Sequence, residues 1–202
     1  MIFHKEKKLC LFEPAKTGTQ TARHFLKAAG WLTYRKYHIF SDEAIQLHPN
    51  LLQYKLYAYI RNPLDRFLSY VHHMKQKEAI HPKLEAFLRK NGVEDSIESL
   101  SYESFIDLVD KIQGDEGFAV MVAPQARWFT QPGTEALDFD NYEAELRRIS
   151  GCLDPVEFPM EIKNKSTDFG KSVVTDKVRS FVREYYAVDY VLAKDLLGKE
   201  YA

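Results

Sequence analysis

Leu9-Cys10-Leu11-Phe12-Glu13-Pro14-Ala15-Lys16-Thr17-Gly18-Thr19-Gln20-Thr21 is the stretch from which the fold of this chain is read. Leu9 to Phe12 is a short, unbroken apolar run, the pattern of a strand buried on both faces of a parallel sheet. A polar loop follows, and from Ala22 to Ala29 the residues Phe25, Leu26 and Ala29 recur at helical spacing before Gly30 ends the helix. The order is strand, tight polar loop, helix. A glycine in such a loop lets successive N–H groups turn toward one point. The helix start adds a partial positive charge, the hydroxyls add donors, and Lys16 adds a full charge. That assembly suits a tetrahedral anion such as phosphate or sulfate. It is not a Walker A loop, because GxxxxGK[ST] is absent and the lysine precedes the glycine. The plain alternative is a polar turn with an ordinary N-cap.

A second unit repeats the pattern. Leu56-Tyr57-Ala58-Tyr59-Ile60 is rich in strand formers and runs into Arg61-Asn62-Pro63-Leu64-Asp65-Arg66-Phe67-Leu68-Ser69-Tyr70. Asn62 is a good N-cap, Pro63 suits the first helical position, and Leu64, Phe67, Leu68 and Val71 share one face of a helix reaching Gln76. Arg61 at the strand end can offer a bidentate fork to a phosphate, with Ser69 donating from two turns on. The alternative for Arg61 is a strand-end salt bridge. Arg66 reads as a side chain on an exposed face, paired with Asp65 or with solvent.

Between these units, Tyr34 to Phe40 reads as a strand and Asp42 to Gln46 as a short helix. Further helices are expected over 82–90, 102–112 and 141–149, with a last strand at Val156-Glu157-Phe158. Thr175 to Leu197 reads as one or two helices broken near Asp189. Early strands alternating with helices give an α/β fold: a three-layer sandwich around a central, mostly parallel sheet, with a largely helical C-terminal half, in a single domain over 1–202. Ligands of such sheets bind beyond the carboxyl ends of the strands, where both polar loops fall. Two anion sites there imply a ligand with two separated charged groups.

Composition bounds the rest. The chain has 202 residues, 28 basic and 29 acidic side chains, and is 45% hydrophobic, which excludes a disordered or collagen-like protein. Near-neutral charge argues against a general nucleic-acid binder. No apolar run reaches the roughly 18–20 residues that cross a bilayer, and the polar N-terminal stretch is no secretory signal, so a soluble, cytoplasmic protein with no membrane segment is expected. Cys10 and Cys152 lie far apart, without metal or disulfide spacing, and read as buried, reduced thiols. Lys5, Lys7 and Lys8, and Arg35 with Lys36, read as solvated charge.

The two motifs together resemble those of sulfotransferases that use 3′-phosphoadenosine-5′-phosphosulfate, PAPS. PAKTGTQT resembles their 5′-phosphosulfate loop, PK[ST]G[TG]T, with Ala15 inserted between proline and lysine. RNPLDRFLSY resembles their 3′-phosphate motif, RNPxDRxxSxY, with Arg61 and Ser69 at the same separation. Pro124-Gln125 with Trp128, Asn164-Lys165-Ser166, and Tyr186-Ala187-Val188-Asp189-Tyr190 are similar to later landmarks of the carbohydrate-type, family 2-like branch. The resemblance spans about residues 10 to 195 and implies a P-loop-like architecture. It implies that Lys16, Thr17, Gly18, Thr19, Gln20 and Thr21 hold the phosphosulfate and that Arg61 and Ser69 hold the 3′-phosphate. Lys165 and Ser166 are candidates to reach the same nucleotide from the far side; the alternative is a capped loop before Asp168. The small-molecule branch has a tryptophan where this chain has Thr21, which leaves the adenine contacts unassigned.

Sulfuryl transfer needs positioning and electrostatic stabilisation of the leaving phosphate, for which Lys16 and the loop N–H groups are placed; it demands no metal. The acceptor hydroxyl also needs a base. His38, between the two loops, is the first candidate and would also touch the acceptor, as a histidine at a comparable place is frequent in the carbohydrate-type branch; the alternative is a surface or half-buried histidine with a local hydrogen bond. Glu13 is the main rival, followed by Glu43 and Asp42. His72 and His73 are expected to face solvent or acceptor, and His24 the surface. Gln125, Arg127 and Trp128 are candidates to border the acceptor, a saccharide being the class the branch suggests; the alternative for Trp128 is a core residue. The Tyr185, Tyr186 and Tyr190 cluster reads as helix packing. The competing functions are a P-loop phosphotransferase, which would require a Mg²⁺ ligand set and a Walker lysine, and a non-catalytic nucleotide- or anion-binding module.

Overall fold

The computed structural model describes residues 1–34, 38–76, 81–93, 99–115, 118–152, 160 and 174–201. A hairpin of β1 (Ile2–His4) and β2 (Leu9–Phe12) opens the chain, followed by α1 (Thr19–Ala28) and β3 (Leu32–Thr33). Helix α2 (Ser41–Leu47) leads into β4 (Lys55–Ile60) and α3 (Pro63–Gln76). Next come α4 (His81–Lys90), α5 (Tyr102–Gln113), α6 (Ala119–Val122) and a 3-10 turn at Gln125–Trp128. Strand β5 (Glu135–Asp138), α7 (Tyr142–Ser150), α8 (Asp176–Tyr185) and α9 (Ala187–Leu197) complete the order.

The strands form one five-stranded sheet in the order β3-β1-β2-β4-β5. β2, β4 and β5 are parallel neighbours, while β1 runs antiparallel to both β2 and β3. Every strand but β1 therefore points the same way, and the fold is α/β with a mixed, mostly parallel sheet. Phe12 pairs with Ala58 and Ile60 with Asp138, so the loops leaving β2, β4 and β5 emerge on one rim.

Strand alternation gives the sheet two apolar faces. Leu11, Tyr57, Tyr59 and Leu137 pack against Phe25 and Leu26 of α1 and Leu146 and Ile149 of α7. Cys10, Phe12, Leu56 and Ala58 face the other way, onto Ile39, Ala44, Leu51 and Trp128. Each fully buried Leu- or Phe-sized side chain contributes roughly 1.5–3 kcal/mol. A third cluster joins Phe67, Leu68 and Val71 of α3 to Leu88, Phe105, Leu108, Val178 and Val182 of the later helices.

The helices fall within a few residues of expectation, and the C-terminal pair breaks at Tyr186, just before Asp189. The strands differ more. β1 and β5 are additional; of the strand expected over Tyr34 to Phe40, residues 35–37 lie outside the described residues and Tyr34 and 38–40 are not in a strand, while the short β3 precedes it and Tyr34 donates to the Met1 carbonyl. His38, at φ 54, is in the left-handed region that interrupts an extended run. The strand expected at Val156–Phe158 lies outside the described residues. Cys10 is a buried free thiol pushed up to about 12 by burial, whereas Cys152 is free and only half-buried. Among the described residues no helix is long and apolar enough to cross a membrane.

Candidate functional site

The loop between β2 and α1 is built around two left-handed residues, Lys16 at φ 67 and Gly18 at φ 74. Outside glycine that conformation costs about 1–2 kcal/mol, so Lys16 carries backbone strain of the kind found where a loop must wrap a ligand. Buried Thr17 donates its hydroxyl to the Pro14 carbonyl at 2.7 Å and ties the loop's two ends together. Gly18 is the N-cap of α1 and so brings no side chain of its own to cap that first turn. The Thr19 hydroxyl sits at the helix start, buried and without a hydrogen-bond partner among the described residues. An orphaned buried donor beside a helix N-terminus fits an anion's oxygen. Gln20 is exposed, and Thr21 is buried under α7. There Tyr142 closes the far side, donating to the Gly18 carbonyl at 2.6 Å.

The loop after β4 lies directly against this one. Arg61 donates from Nη1 to the Lys16 carbonyl at 2.7 Å, and its guanidinium stacks 4.7 Å above the Phe139 ring. Burial lowers its pKa to about 10, a sign of a charge held partly away from water. Asn62 caps α3 as expected, accepting from the Leu64 and Asp65 N–H groups at 2.9 and 3.4 Å. Ser69 is buried in the second turn of that helix. The structure thus brings Arg61 onto the loop that carries Lys16 and Thr19. Thr17 is turned into the loop's own hydrogen bonding.

Gln125 and Arg66 are placed differently from expectation, and Trp128 takes the core alternative. Gln125 and Trp128 are both fully buried. Trp128 donates to the Ile39 carbonyl at 2.8 Å and packs 4.9 Å from Phe40, so it presents no open face to a sugar ring. Gln125 grips the main chain of Arg61, accepting from its N–H and donating to its carbonyl, both at 2.9 Å. Arg66 is 2% exposed rather than on a solvated face; it donates to the Ala123 carbonyl at 2.8 Å and lies 3.8 Å from Asp189. Arg127 is the exposed member of that turn and lies over Phe40.

Of the candidate bases, His38 is beside the first loop. Its Nδ1 is 2.8 Å from the Glu13 carbonyl oxygen. A carbonyl only accepts, so Nδ1 carries the proton and Nε2 the lone pair. Burial lowers the pKa below the ordinary imidazole value of 6.5, against the raising influence of that hydrogen bond. Glu13 itself is turned inward, held by the Met1 ammonium at 2.7 Å and by the Nε of Arg23 at 2.8 Å. Its oxygens serve these two cations, so it anchors the strand end instead of facing an acceptor. Asp42 pairs with Arg127 at 3.6 Å and accepts from the Glu43 N–H. Lys165 and Ser166 lie outside the described residues.

A cleft of about 630 Å³ opens along α3, between His72, Lys75 and Gln76 on one side and Ser101, Tyr102 and Thr175 on the other. His72 lies below the ordinary imidazole pKa, first through burial and then through the charge of Lys16. At the end of β5, the Asp138 carboxylate accepts from Lys199 at 2.7 Å and from Asn141 at 2.6 Å. Nothing in the sequence pattern signals Tyr142 or the inward turn of Gln125, and Asp189 reads there only as a helix break within the Tyr186–Tyr190 stretch, not as a partner of Arg66.

Fold and site together define an α/β chain in which two strand-end loops in contact carry a lysine, an arginine and a helix start capped by glycine. Comparison of the chain with protein-family models, curated proteins and solved structures returns no match.

Proposed function

We propose that the chain is a sulfotransferase of P-loop-like architecture that moves a sulfuryl group from PAPS to an acceptor hydroxyl, a saccharide being the favoured acceptor class. The observation that carries this reading is the contact between Arg61 and the Lys16 carbonyl, which holds two cationic strand-end loops against each other. Two cationic loops at neighbouring strand ends suit a ligand that carries two negative groups. The orphaned Thr19 hydroxyl and the glycine-capped α1 start favour an anion at the first loop.

Bound PAPS would supply the sulfuryl group and leave as 3′-phosphoadenosine 5′-phosphate, PAP. Lys16 and the first-loop N–H groups would stabilise the charge on the departing 5′-phosphate. The guanidinium N–H groups of Arg61 not given to Lys16 would grip the 3′-phosphate. His38 Nε2 would take the proton of the acceptor hydroxyl, a role suited to an imidazole kept neutral by burial. In this reading the acceptor does not stack on Trp128, which is core.

The test is transfer of labelled sulfate from PAPS to a panel of saccharide and small hydroxyl acceptors. Lys16→Ala should lower turnover about 100- to 1,000-fold, as loss of one donor to a developing oxyanion does. His38→Ala should lower it about 100-fold or more. Absence of transfer to every acceptor, with PAP failing to bind, would overturn the proposal; full turnover by His38→Ala would remove only the base.

A further inference from the structure

We infer that Asp189, at the start of α9, is a positioning residue for Arg61 and acts through the side chain of Gln125. The inference rests on the reading of Arg61 as the grip on the 3′-phosphate. Arg61 lies just past the end of β4, where the sheet ladder no longer satisfies its backbone. The Gln125 amide does so instead, taking the Arg61 N–H on Oε1 and giving an N–H to its carbonyl, both at 2.9 Å. One side chain thereby fixes the peptide frame from which the guanidinium reaches Lys16.

Gln125 is in turn fixed by Asp189. The Oδ2 atom accepts from the Gln125 N–H at 2.8 Å and lies 3.4 Å from its Nε2, while Oδ1 accepts from the Ala126 N–H at 2.9 Å. Both carboxylate oxygens are committed to the turn that carries Gln125. Asp189 is 0% exposed. Burial pushes its carboxyl above the ordinary carboxylate range, against the opposing pull of Arg66 and the two N–H groups. Arg66, on the helix that follows Arg61, supplies the countercharge at 3.8 Å and is braced by the Ala123 carbonyl and the Tyr186 ring. The chain of contacts therefore closes on itself: Arg61, Gln125, Asp189, Arg66, and back through α3 to Arg61.

Stability alone does not call for this arrangement. Apolar residues of similar volume commonly replace a buried ion pair with no loss of stability. What they cannot do is accept the two N–H groups that orient Gln125. Displacing a positioned group by about 1 Å is enough to cost on the order of 100-fold in function, which gives the arrangement a purpose.

The experiment compares wild type, Asp189→Asn and Gln125→Met in binding PAP and adenosine 5′-monophosphate, which lacks the 3′-phosphate. Amide hydrogen exchange at Arg61 is followed in the same samples. Wild type should prefer PAP. Both variants should lose about tenfold or more of that preference, the fold-change carried by one buried hydrogen bond, while affinity for the monophosphate stays within about twofold. The Arg61 amide should exchange about tenfold or more faster, with Ala58 in the strand centre unchanged. Equal weakening toward both nucleotides, or a retained preference for PAP, would mark Asp189 as merely structural and overturn the inference. A wild type with no preference for PAP defeats the reading of Arg61 instead. The exchange rate then decides the positioning role alone: acceleration supports it and an unchanged Arg61 amide overturns it. Gln125→Met leaves the Asp189–Arg66 pair intact and supplies the answer if Asp189→Asn does not fold.

Discussion

The Arg61 guanidinium and the Lys16 carbonyl, 45 residues apart in sequence, meet at 2.7 Å across the carboxyl ends of β2 and β4. Two loops that read separately as anion sites are thus one structure. The contact uses one N–H of a group with five, and it aligns the arginine with the loop that carries Lys16.

Arg61→Ala should weaken PAP binding by roughly 1.5–3 kcal/mol, about 10- to 150-fold, the range for hydrogen bonds to charged groups. Arg61→Lys should recover little, because a point charge cannot reproduce the planar fork. Titration calorimetry distinguishes the three proteins, and a lysine variant as tight as wild type would count against a bidentate grip.

Gly18→Ala tests the wall of the first loop. A Cβ there would lie 2.6 to 2.8 Å from the Tyr142 ring and hydroxyl, on a backbone at φ +74. The ring cannot swing aside freely, since Tyr59 and Phe139 hold it at 5.0 and 5.3 Å. Overpacking of this kind costs about 1–3 kcal/mol. Tyr142→Phe should cost about 0.5–1.5 kcal/mol through the lost bond to the Gly18 carbonyl. Urea denaturation reads both, and a Gly18→Ala protein as stable as wild type would contradict the packing.

Much of this was legible in the chain, for local reasons. β2, β4 and the helices after them announce themselves through contiguous apolar runs, Asn62 and Pro63, and both loops fall at the strand ends as expected. β1, β3 and β5 are two to four residues long and exist through pairing, so no local period betrays them. The same holds for side chains. Arg66 looks like a surface residue because its countercharge, Asp189, is 123 positions away, and Gln125 and Trp128 look like pocket residues because burial depends on what folds over them.

His38 makes the pH dependence specific. The base must be neutral, and its folded pKa is lowered by burial. Turnover should therefore rise with pH through a midpoint below 6.5 and be flat at neutrality, a profile that His38→Ala removes. Stability carries the matching sign. Below 6.5 the unfolded imidazole takes up a proton that the folded one resists, so the fold loses stability as pH falls toward the lowered value and gains nothing above 6.5. A midpoint above 6.5 would place the titrating group elsewhere.

Arg66→Ala should destabilise the fold by about 3–5 kcal/mol, because it strands a buried Asp189 without its countercharge. Arg66→Ala combined with Asp189→Ala should cost less than the sum of the two single changes, as neighbouring partners do. Additive losses in urea titrations would show that the two charges do not interact.

The central claim, that one crevice takes a nucleotide by both its phosphates, is tested most directly by thermal unfolding with PAP. A ligand at 100 times its dissociation constant adds about 2.7 kcal/mol, which for a chain of this size is roughly 5–10 °C in Tm. The expected result is a rise of that order with PAP, a small one with adenosine 5′-monophosphate, and little with ATP and Mg²⁺. A Tm unmoved by PAP, or moved as far by ATP and Mg²⁺, would contradict the account.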